Sequence, residues 1–472
     1  MVFSSNIFLF LFLPLLLLFY FVIAKTIAQK NFILLIFSLI FYSFGEIEYL
    51  WILLLSLIGN YFFGIFIDKY SSQNFAKKII IFTAISFNLL LLTYYKYFNF
   101  IYENLSPIFN LNFESKSISL PLGISFFTFH AISYLVDIYR KKTVVQKNFY
   151  SLMLYICFFP QLIAGPIVRY NFIAKYLTKR NIHKHAIAFG IRLFLIGLAK
   201  KVIIANPIGE VADLIFVSDV NELNRLLAIT GVLCYSLQIY FDFSGYSDMA
   251  LGLARIFGFK FPRNFNYPYI ALSIQDFWRR WHISLSSWFR DYVYIPLGGN
   301  RVNIFRQYFN LILVFFLCGL WHGASWNFVV WGLFHGFFLV LERLSFFKQF
   351  LLKLPKVIQN FYMLIIVMTA WIFFRSANIS HSIDLINIVI FDNAIVNLPS
   401  NILRIINSHY FQMSIILALI SYSGIVNKIA KKLIAKYKIS IVIIDLFLLV
   451  SFVLVILRLS AQTHNPFIYF QF

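Results

Sequence analysis

Long apolar runs recur along the whole chain and restrict its fold more than any other feature. The 472-residue sequence is 61% hydrophobic and only 12% charged, with a mean hydropathy of +0.80. Ordinary globular chains are about half apolar and a quarter charged. In hydrocarbon, only helices and closed barrels satisfy the backbone, and runs of this length suit helices. The sequence therefore predicts an all-α polytopic membrane protein with about ten spanning helices.

The first apolar run, Ile7 to Ala24, is expected to be a span and not a cleaved signal peptide. No basic segment precedes it, and it is longer than a signal core. Lys25 and Lys30 follow it, and cytoplasmic loops carry an excess of lysine and arginine. The N-terminus is therefore expected on the outer, periplasmic side.

The later loops extend this topology. The segment Asn206 to Asn224 carries four acidic residues and no lysine or arginine, so it is expected to be an external loop. Spans are expected near Leu226–Phe243, Phe361–Phe374, Phe411–Ile425 and Ser440–Leu459. A cytoplasmic loop before the last span carries Lys428, Lys431, Lys432, Lys436 and Lys438. The C-terminus is then expected outside.

The charge and the cysteines exclude two other classes. The net charge is +22, but the basic residues lie in short loops between spans, which favours membrane topology over nucleic acid as the reason. Cys157, Cys234 and Cys318 all lie in apolar surroundings, so no disulfide framework is expected. The spacing of histidine, cysteine and acidic residues predicts no metal site.

One segment, Phe149 to Tyr170, is apolar, is broken by Pro160, Gly165 and Pro166, and is basic on both sides. It is expected to be re-entrant, although a full span with unusual flanks stays open. No hydrophilic block is large enough for a second domain. The sequence predicts a single integrated domain over residues 1–472, with N-terminal spans (1–147), a catalytic core (148–345) and C-terminal spans (346–472).

His322 lies in an apolar stretch, Tyr308 to Leu341, with a helix break expected at Gly323-Ala324. Basic residues flank this stretch on both sides, so both ends are expected in the cytoplasm. Two crossings need about 40 residues, and the stretch is shorter. The hairpin is therefore expected to turn inside the membrane with His322 near its tip, facing a cavity. A simple bond to a neighbouring carbonyl is the alternative. Cys318 is expected to be a buried core residue.

The stretch Ile274 to Arg301 combines an aromatic face with a basic face, which predicts an interfacial amphipathic helix. Anchoring alone would explain its tryptophans but not His282 on the apolar face. Upstream, Asp242 and Asp248 belong to a polar cluster that could line a tunnel or bind an ion.

Several of these motifs together resemble the membrane-bound O-acyltransferases, and in particular the bacterial branch that acetylates exported polysaccharides. The resemblance covers essentially the whole chain. Its motifs are "PLGISFFTFHAISYLVDIYR", "FFPQLIAGPIVR", "YFDFSGYSDMALGLARIFGFKFPRNFNYPY", "QDFWRRWHISLSSWFRDYVYIPLGGNR", "CGLWHGASWNFVVWGLFHG", "AWIFFR" and the terminal "PFIYFQF".

The resemblance implies a fold with re-entrant and interfacial helices around a central chamber. It implies that His322 and His282 are the catalytic residues. The residues expected to bind substrate are Trp321, Asn327, Asp242, Asp248, Arg279, Arg280 and Arg290. No cofactor is expected to be bound, and acetyl-CoA is the expected donor at the cytoplasmic face. A periplasmic SGNH-type acetyltransferase is the expected partner, and the bacterial inner membrane is the expected location of this chain.

Alternatives remain for the acceptor and for the class. Peptidoglycan is the first expectation, because the residue usage fits an AT-rich genome; alginate, another exopolysaccharide or D-alanyl transfer stay open. A transporter or channel is the competing class. It would require a polar pathway across the membrane and often repeated halves, and neither is evident in the sequence.

Overall fold

The computed structural model describes residues 1–109, 118–392, 399–437 and 439–461, and within these ranges it contains helices and no strand. This confirms the all-α membrane class. The C-terminal motif "PFIYFQF", Lys438 and the end of the chain lie outside the described residues. The α-helices are α1 Leu13–Leu18, α2 Ile27–Glu46, α3 Leu50–Lys69, α4 Asn74–Leu92, α5 Phe98–Phe109, α6 Ile124–Tyr139, α7 Phe149–Cys157, α8 Phe159–Leu162, α9 Tyr170–Thr178, α10 Lys184–Ala199, α11 Asn206–Val217, α12 Arg225–Ile256, α13 Ile274–Arg280, α14 Ile283–Phe289, α15 Ile304–His322, α16 Trp326–Leu341, α17 Ser345–Lys353, α18 Lys356–Arg375, α19 Ile379–Phe391, α20 Ser400–Ile406, α21 His409–Ser421, α22 Ile425–Lys436 and α23 Ile439–Ala461.

Short π-helical turns interrupt or extend several of these helices. They are Phe8–Phe12, Phe19–Ile23, Thr93–Tyr97, Lys200–Ala205 and Arg290–Tyr294, and 3₁₀ turns occur at Ile47–Tyr49, Val220–Glu222 and Pro268–Ile270. The first expected span is therefore a helix over Phe8–Ile23 that is π-helical at both ends.

Six helical stretches of the described residues are long and apolar enough to cross a membrane, or eight if each of two bent pairs is one span. The longest, Ile27–Lys69, has 43 residues, about twice the ~20 that one crossing needs, and it contains both α2 and α3. Three shorter apolar helices add to these, at Phe8–Ile23, Ile124–Tyr139 and Ile379–Phe391. The number of crossings and the orientation of the N-terminus stay predictions.

The chain divides into two compact units, Met1–Phe194 with Met249–Pro262, and Leu195–Asp248 with Arg263–Phe472. In the first unit, α3, α4 and α6 pack together. Two buried amides join α3 to α4, since Asn60 Nδ2 donates to Asn88 Oδ1 at 3.0 Å and Asn88 Nδ2 donates to Asn60 Oδ1 at 2.7 Å. Such amide pairs hold helices together where the surroundings offer no water. The single domain with three parts stays a prediction.

The break expected near Pro160 is confirmed in this first unit. Helix α7 ends at Cys157, the short α8 holds Pro160 in its first turn, and extended chain leads to α9. A side chain on Gly165 would overlap the backbone carbonyl of Pro160, so the chain can fold back this tightly only at a glycine. Entry and exit on one side of the membrane stay a prediction.

The external loop expected at Asn206–Asn224 is wrong for most of its length, because α10 continues through the π-turn Lys200–Ala205 into α11. A proline inside a helix removes the hydrogen bond to the carbonyl four residues earlier. For Pro207 that carbonyl belongs to Ile203, and the Ser414 hydroxyl of α21, which lies 2.6 Å from the Tyr410 carbonyl, also lies within hydrogen-bond distance of it, at 2.7 Å. The helix therefore survives its proline. The span expected to end at Phe243 also continues, as α12, to Ile256.

The hairpin expected around His322 is confirmed as two helices, α15 and α16, that pack closely on each other. Glycines allow this close packing. A methyl group on Gly319 would overlap the carbonyl oxygen of Phe328, and one on Gly332 would overlap that of Phe315. Small residues at such crossings let helix backbones touch in a membrane.

The length count no longer supports the depth predicted for His322, because the first helix of the hairpin is longer than the sequence suggested. Helix α15 begins at Ile304, four residues before Tyr308, and its 19 residues make it a candidate span. At 1.5 Å per residue it is roughly 28 Å long, close to the ~30 Å thickness of a hydrocarbon core. Length alone therefore no longer places the turn inside the membrane.

Replacing Gly319 by alanine should force α15 and α16 apart, because the new methyl group meets rigid backbone. Overpacking of this kind costs about 1–3 kcal/mol, so we expect a lower melting temperature and less monodisperse protein in detergent. Gly336→Ala is the graded control, since its Cβ would lie 3.3 Å from Ile312 Cα and from Phe315 Cβ. A Gly319→Ala protein that melts like Gly336→Ala would contradict this account of the hairpin.

Candidate active site

His322 is the last residue of α15 and lies in an aromatic enclosure. It is buried, and its ring centroid lies 4.9 Å from that of Trp321, 5.0 Å from that of Trp331 and 5.1 Å from that of Phe374. These rings come from α15, α16 and α18, which pack together through α16. The enclosure fixes the imidazole while excluding bulk water.

The structure brings His282 to the same place. Trp321 lies between the two histidines, with its ring centroid 6.0 Å from that of His282. Phe243 of α12 covers the other side of His282 at 4.7 Å. His282 is completely buried, and burial lowers its pKa to about 3, so the ring is neutral at ordinary pH.

The continuous amphipathic helix expected over Ile274–Arg301 is wrong, because it breaks at His282. This residue adopts a left-handed conformation, φ 41° and ψ 52°, and separates α13 from α14. This conformation is strained for a residue with a side chain, and residues with such backbone strain are often found at functional sites. The break turns the imidazole inward, toward Trp321, where a straight helix would have continued along the interface.

Asn264 holds this break in place. Its Oδ1 accepts from Ser284 N at 3.0 Å and from Ser284 Oγ at 2.9 Å, and His282 Nδ1 lies 3.3 Å away. A backbone N–H can only donate, so the atom facing Ser284 is the amide oxygen. Nδ1 of His282 must then carry the proton, and the basic lone pair is on Nε2.

A third buried histidine, His335, belongs to the surrounding shell. Its Nδ1 accepts from the indole N–H of Trp278 at 3.4 Å. The ring of Trp331 lies between His335 and His322, at centroid distances of 5.1 Å and 5.0 Å. This contact gives His335 a structural role, because it links α13 to the hairpin.

Glu342 joins α13 to the base of the hairpin. Its carboxylate accepts from Ile274 N at 2.6 Å and from Gln275 N at 3.0 Å, the first backbone donors of α13. A carboxylate at a helix start satisfies these donors and complements the helix dipole. Since His282 follows α13 directly, Glu342 helps to fix the position of His282 relative to α16.

The two aspartates expected to bind substrate each pair with a lysine of the π-turn Lys200–Ala205. Lys201 Nζ lies 3.0 Å from Asp242 Oδ1, and both side chains are almost fully buried, at 3% and 1% exposure. Lys200 Nζ lies 2.7 Å from Asp248 Oδ2, at 24% and 25% exposure. Both carboxylates therefore hold α12 to this turn, and a contact with substrate stays a prediction.

Of the three arginines expected to bind substrate, Arg279 and Arg280 end α13 and Arg290 follows α14 directly. Arg279 is exposed, Arg280 pairs with Asp276 at 2.9 Å, and Arg290 pairs with the adjacent Asp291 at 2.7 Å. Since 62% of the Arg290 side chain is exposed, its pair is readily exchanged for another anion.

Asn327 and Gly323 occupy the turn of the hairpin. Asn327 is buried and donates from Nδ2 to the carbonyl of Ser376 at 2.8 Å, which ties the start of α16 to the end of α18. The backbone N–H of Gly323 donates to the Gly319 carbonyl at 3.3 Å. Cys318 is a buried free thiol, as expected for a core residue.

Sequence reasoning missed four residues that shape the site. Asn264, Trp331, Glu342 and Phe374 each contact a histidine or position one through a short helix. Asn264 and Trp331 lie inside the quoted motifs, so the signal was available there. Glu342 lies just beyond its motif, and nothing in the sequence links it to α13, 68 positions away.

Candidate metal ligands do not gather in this site. Within the described ranges, no group of three or more histidine, cysteine or acidic residues could hold a metal ion. The side chains that this site offers for chemistry are the imidazoles of His322 and His282, and His322 lies next to the start of α16.

Comparison with known proteins gives the family of this chain. The model of the membrane-bound O-acyltransferase family matches residues 36–379. The chain belongs to this family and is an O-acyltransferase.

Relatives with assigned activities are similar over most of their length. A probable alginate O-acetylase of Azotobacter vinelandii is 41% identical over 387 residues, covering 80% of this chain and 76% of the relative. A peptidoglycan O-acetyltransferase of Helicobacter pylori is 39% identical over 418 residues, covering 82% and 79%. A teichoic acid D-alanyltransferase of Bacillus subtilis is 33% identical over 242 residues, covering 48% and 60%.

Removal of the Asn264 side chain should disturb the site at His282. Asn264→Ala loses the bonds to Ser284 and the group that fixes the His282 tautomer, so we expect a stability loss of about 1–2 kcal/mol. Acyl-transfer rate should fall more than this loss of folded protein explains. The exposed Asn266→Ala is the control. An Asn264→Ala protein with an unchanged rate per folded molecule would remove Asn264 from the site.

The two aspartates should differ sharply in their contribution to stability. Asp242→Asn leaves the buried Lys201 charge without its partner, which costs about 3–5 kcal/mol. Asp248→Asn breaks a pair near solvent, whose strength is about 0–1 kcal/mol. Free energies of unfolding in mixed micelles measure both. Equal losses would show that burial does not separate these pairs.

Proposed function

We propose that this protein is a membrane O-acetyltransferase of the bacterial inner membrane. It takes acetyl groups from acetyl-CoA at the cytoplasmic face and passes them across the membrane for O-acetylation of a cell-envelope polysaccharide. The observation that carries the proposal is His322, held among three aromatic rings immediately before the start of α16. The acetylating relatives, matched over about four-fifths of this chain, support the acetyl group as cargo.

His322 acts as the general base in this proposal. Its imidazole accepts the proton of the attacking hydroxyl as the new ester bond forms at the acetyl carbonyl. The tetrahedral intermediate then collapses, the carbon–sulfur bond breaks, and the imidazolium returns the proton to the leaving thiolate. Each transfer leaves His322 neutral and ready for another.

The start of α16 supplies the complementary charge. The positive end of a helix dipole stabilises negative charge that develops beside it. Helix α16 begins at Trp326, four residues after His322, and the Ser325 side chain does not cap it. We therefore assign oxyanion stabilisation to the first turn of α16. His282, fixed by Asn264, orients the donor thioester across Trp321.

The exposed arginines suit the other end of the donor. Coenzyme A carries several phosphate charges, and arginine binds phosphate through parallel hydrogen bonds. Arg279 is exposed, and among the described residues Arg290 has only its neighbour Asp291 as an ion-pair partner. We assign Arg279, Arg280 and Arg290 to the phosphates of the donor at the cytoplasmic face.

The acceptor chemistry completes the proposal. We assign peptidoglycan as the polymer and a periplasmic SGNH-type acetyltransferase as the partner that receives the acetyl group. The similarity to the Helicobacter pylori enzyme supports this assignment, as it covers 82% of the chain. Alginate is the alternative acceptor, supported by the similarity to the Azotobacter vinelandii protein.

Replacing His322 by alanine should abolish acetylation, because loss of a general base costs about 10²- to 10⁴-fold in rate. Membranes are supplied with radiolabelled acetyl-CoA, and acetyl esters are measured on muramidase-digested peptidoglycan. The exposed His185→Ala is the matched control and should keep wild-type activity. Near-normal ester levels in His322→Ala, at equal protein amounts, would refute the role of His322. If esters are found only on a uronate polymer, the acceptor is alginate and not peptidoglycan.

A further inference from the structure

A cavity lies in the same unit as His282 and His322, and neither histidine lines it. It has a volume of about 230 Å³, and its lining includes Glu210, Arg404, Ser408, Tyr410, Phe411 and Arg458. Drug-sized ligands occupy about 300–1,000 Å³, so this cavity suits a single sugar ring or a smaller group.

The cavity is built from the ends of several helices. Helix α11 packs against α20 and α21, and Ser414 Oγ of α21 donates to the Ile203 carbonyl just before α11. From α23, Arg458 lies over the ring of Tyr410, with its guanidinium carbon 3.2 Å from the centroid. This cation–π contact orients the guanidinium toward the cavity lining.

The charged side chains that line the cavity form no ion pairs with the rest of the described chain. No ion pair involves Glu210, Arg404 or Arg458 in the part of the chain that the structure describes, whereas Asp213 on the same helix as Glu210 pairs with Arg375 at 2.7 Å. Two arginines beside one cavity attract an anion, and the planar guanidinium matches a carboxylate. Glu210 disfavours a bare anion but accepts hydrogen bonds from hydroxyl groups.

Helix α22 is rich in lysine and is expected in the cytoplasm, which puts this cavity on the expected outer side. The start of α21 and the end of α23 are the ends of these helices farthest along the chain from α22. They therefore share the side on which an exported polymer is found.

We propose that this cavity binds a carboxylate-bearing sugar of the polymer that receives the acetyl group. Arg404 and Arg458 bind the carboxylate, and Glu210, Ser408 and Tyr410 bind the hydroxyl groups. The inference rests on the proposed acetylation of an exported polysaccharide. It adds that the membrane protein itself binds the polymer. Every sugar of alginate carries a free carboxylate, whereas the lactyl carboxyl of N-acetylmuramic acid in peptidoglycan is free only where no peptide stem is attached, so the site fits alginate or such stem-free glycan.

Binding to the full-length protein in lipid nanodiscs tests this. N-acetylmuramic acid and N-acetylglucosamine differ by one lactyl carboxylate, and saturation-transfer NMR compares them. We expect the acid to bind and the neutral sugar to bind about tenfold more weakly, as one charged hydrogen-bonded pair implies. Arg404→Gln and Arg458→Gln should remove the preference, and Arg458→Lys should keep part of it. Arg306→Gln, an exposed arginine elsewhere, is the control.

Three results would overturn the inference: equal binding of the two sugars or none, acetate binding as tightly as the sugar acid, and displacement of the sugar acid by anionic lipid in the nanodisc. The last would make the cavity a headgroup site. His322→Ala should bind the sugar acid normally while losing acetyl transfer. Failure of the sugar site and failure of the proposed acetylation are thereby distinguished.

Discussion

Two helix backbones touch at Gly319 and Gly332, where neither helix has room for a methyl group. Hydrophobic burial does little to hold helices together in lipid, so close packing and polar contacts must do it. This approach places Trp331, the neighbour of Gly332, on the ring of His322. The enclosure of the histidine is thus a consequence of glycine positions on these two helices.

Polar contacts then position the shorter elements around that hairpin. Glu342 binds the start of α13, and Asn264 binds the start of α14. Between these two attachments the chain takes the left-handed turn at His282. A short helix on each side, anchored at its first residue, makes the strained residue tolerable and keeps its ring inside.

The sequence predicted much of this because apolar runs and loop charges follow from the membrane itself. Glycine and proline residues next to apolar runs predicted both the hairpin break after His322 and the break near Pro160. Other features depend on contacts between distant residues. The continuation of α11 past Pro207 required Ser414, more than 200 positions away, and the break at His282 required Asn264. Periodicity predicted a straight helix there because the left-handed conformation usually occurs at glycine, and this position is a histidine.

The π-turn after α10 constrains how this protein can evolve. Consecutive residues of an α-helix point about 100° apart, yet Lys200 and Lys201 both reach aspartates on α12. The wider turn makes this possible, and it holds one residue more than an α-helical turn. Because this turn holds the extra residue, deleting a single residue here would close it to an α-helical turn and change which residues face Asp242 and Asp248. Substitutions in this segment should therefore be tolerated over evolutionary time more readily than a change in its length.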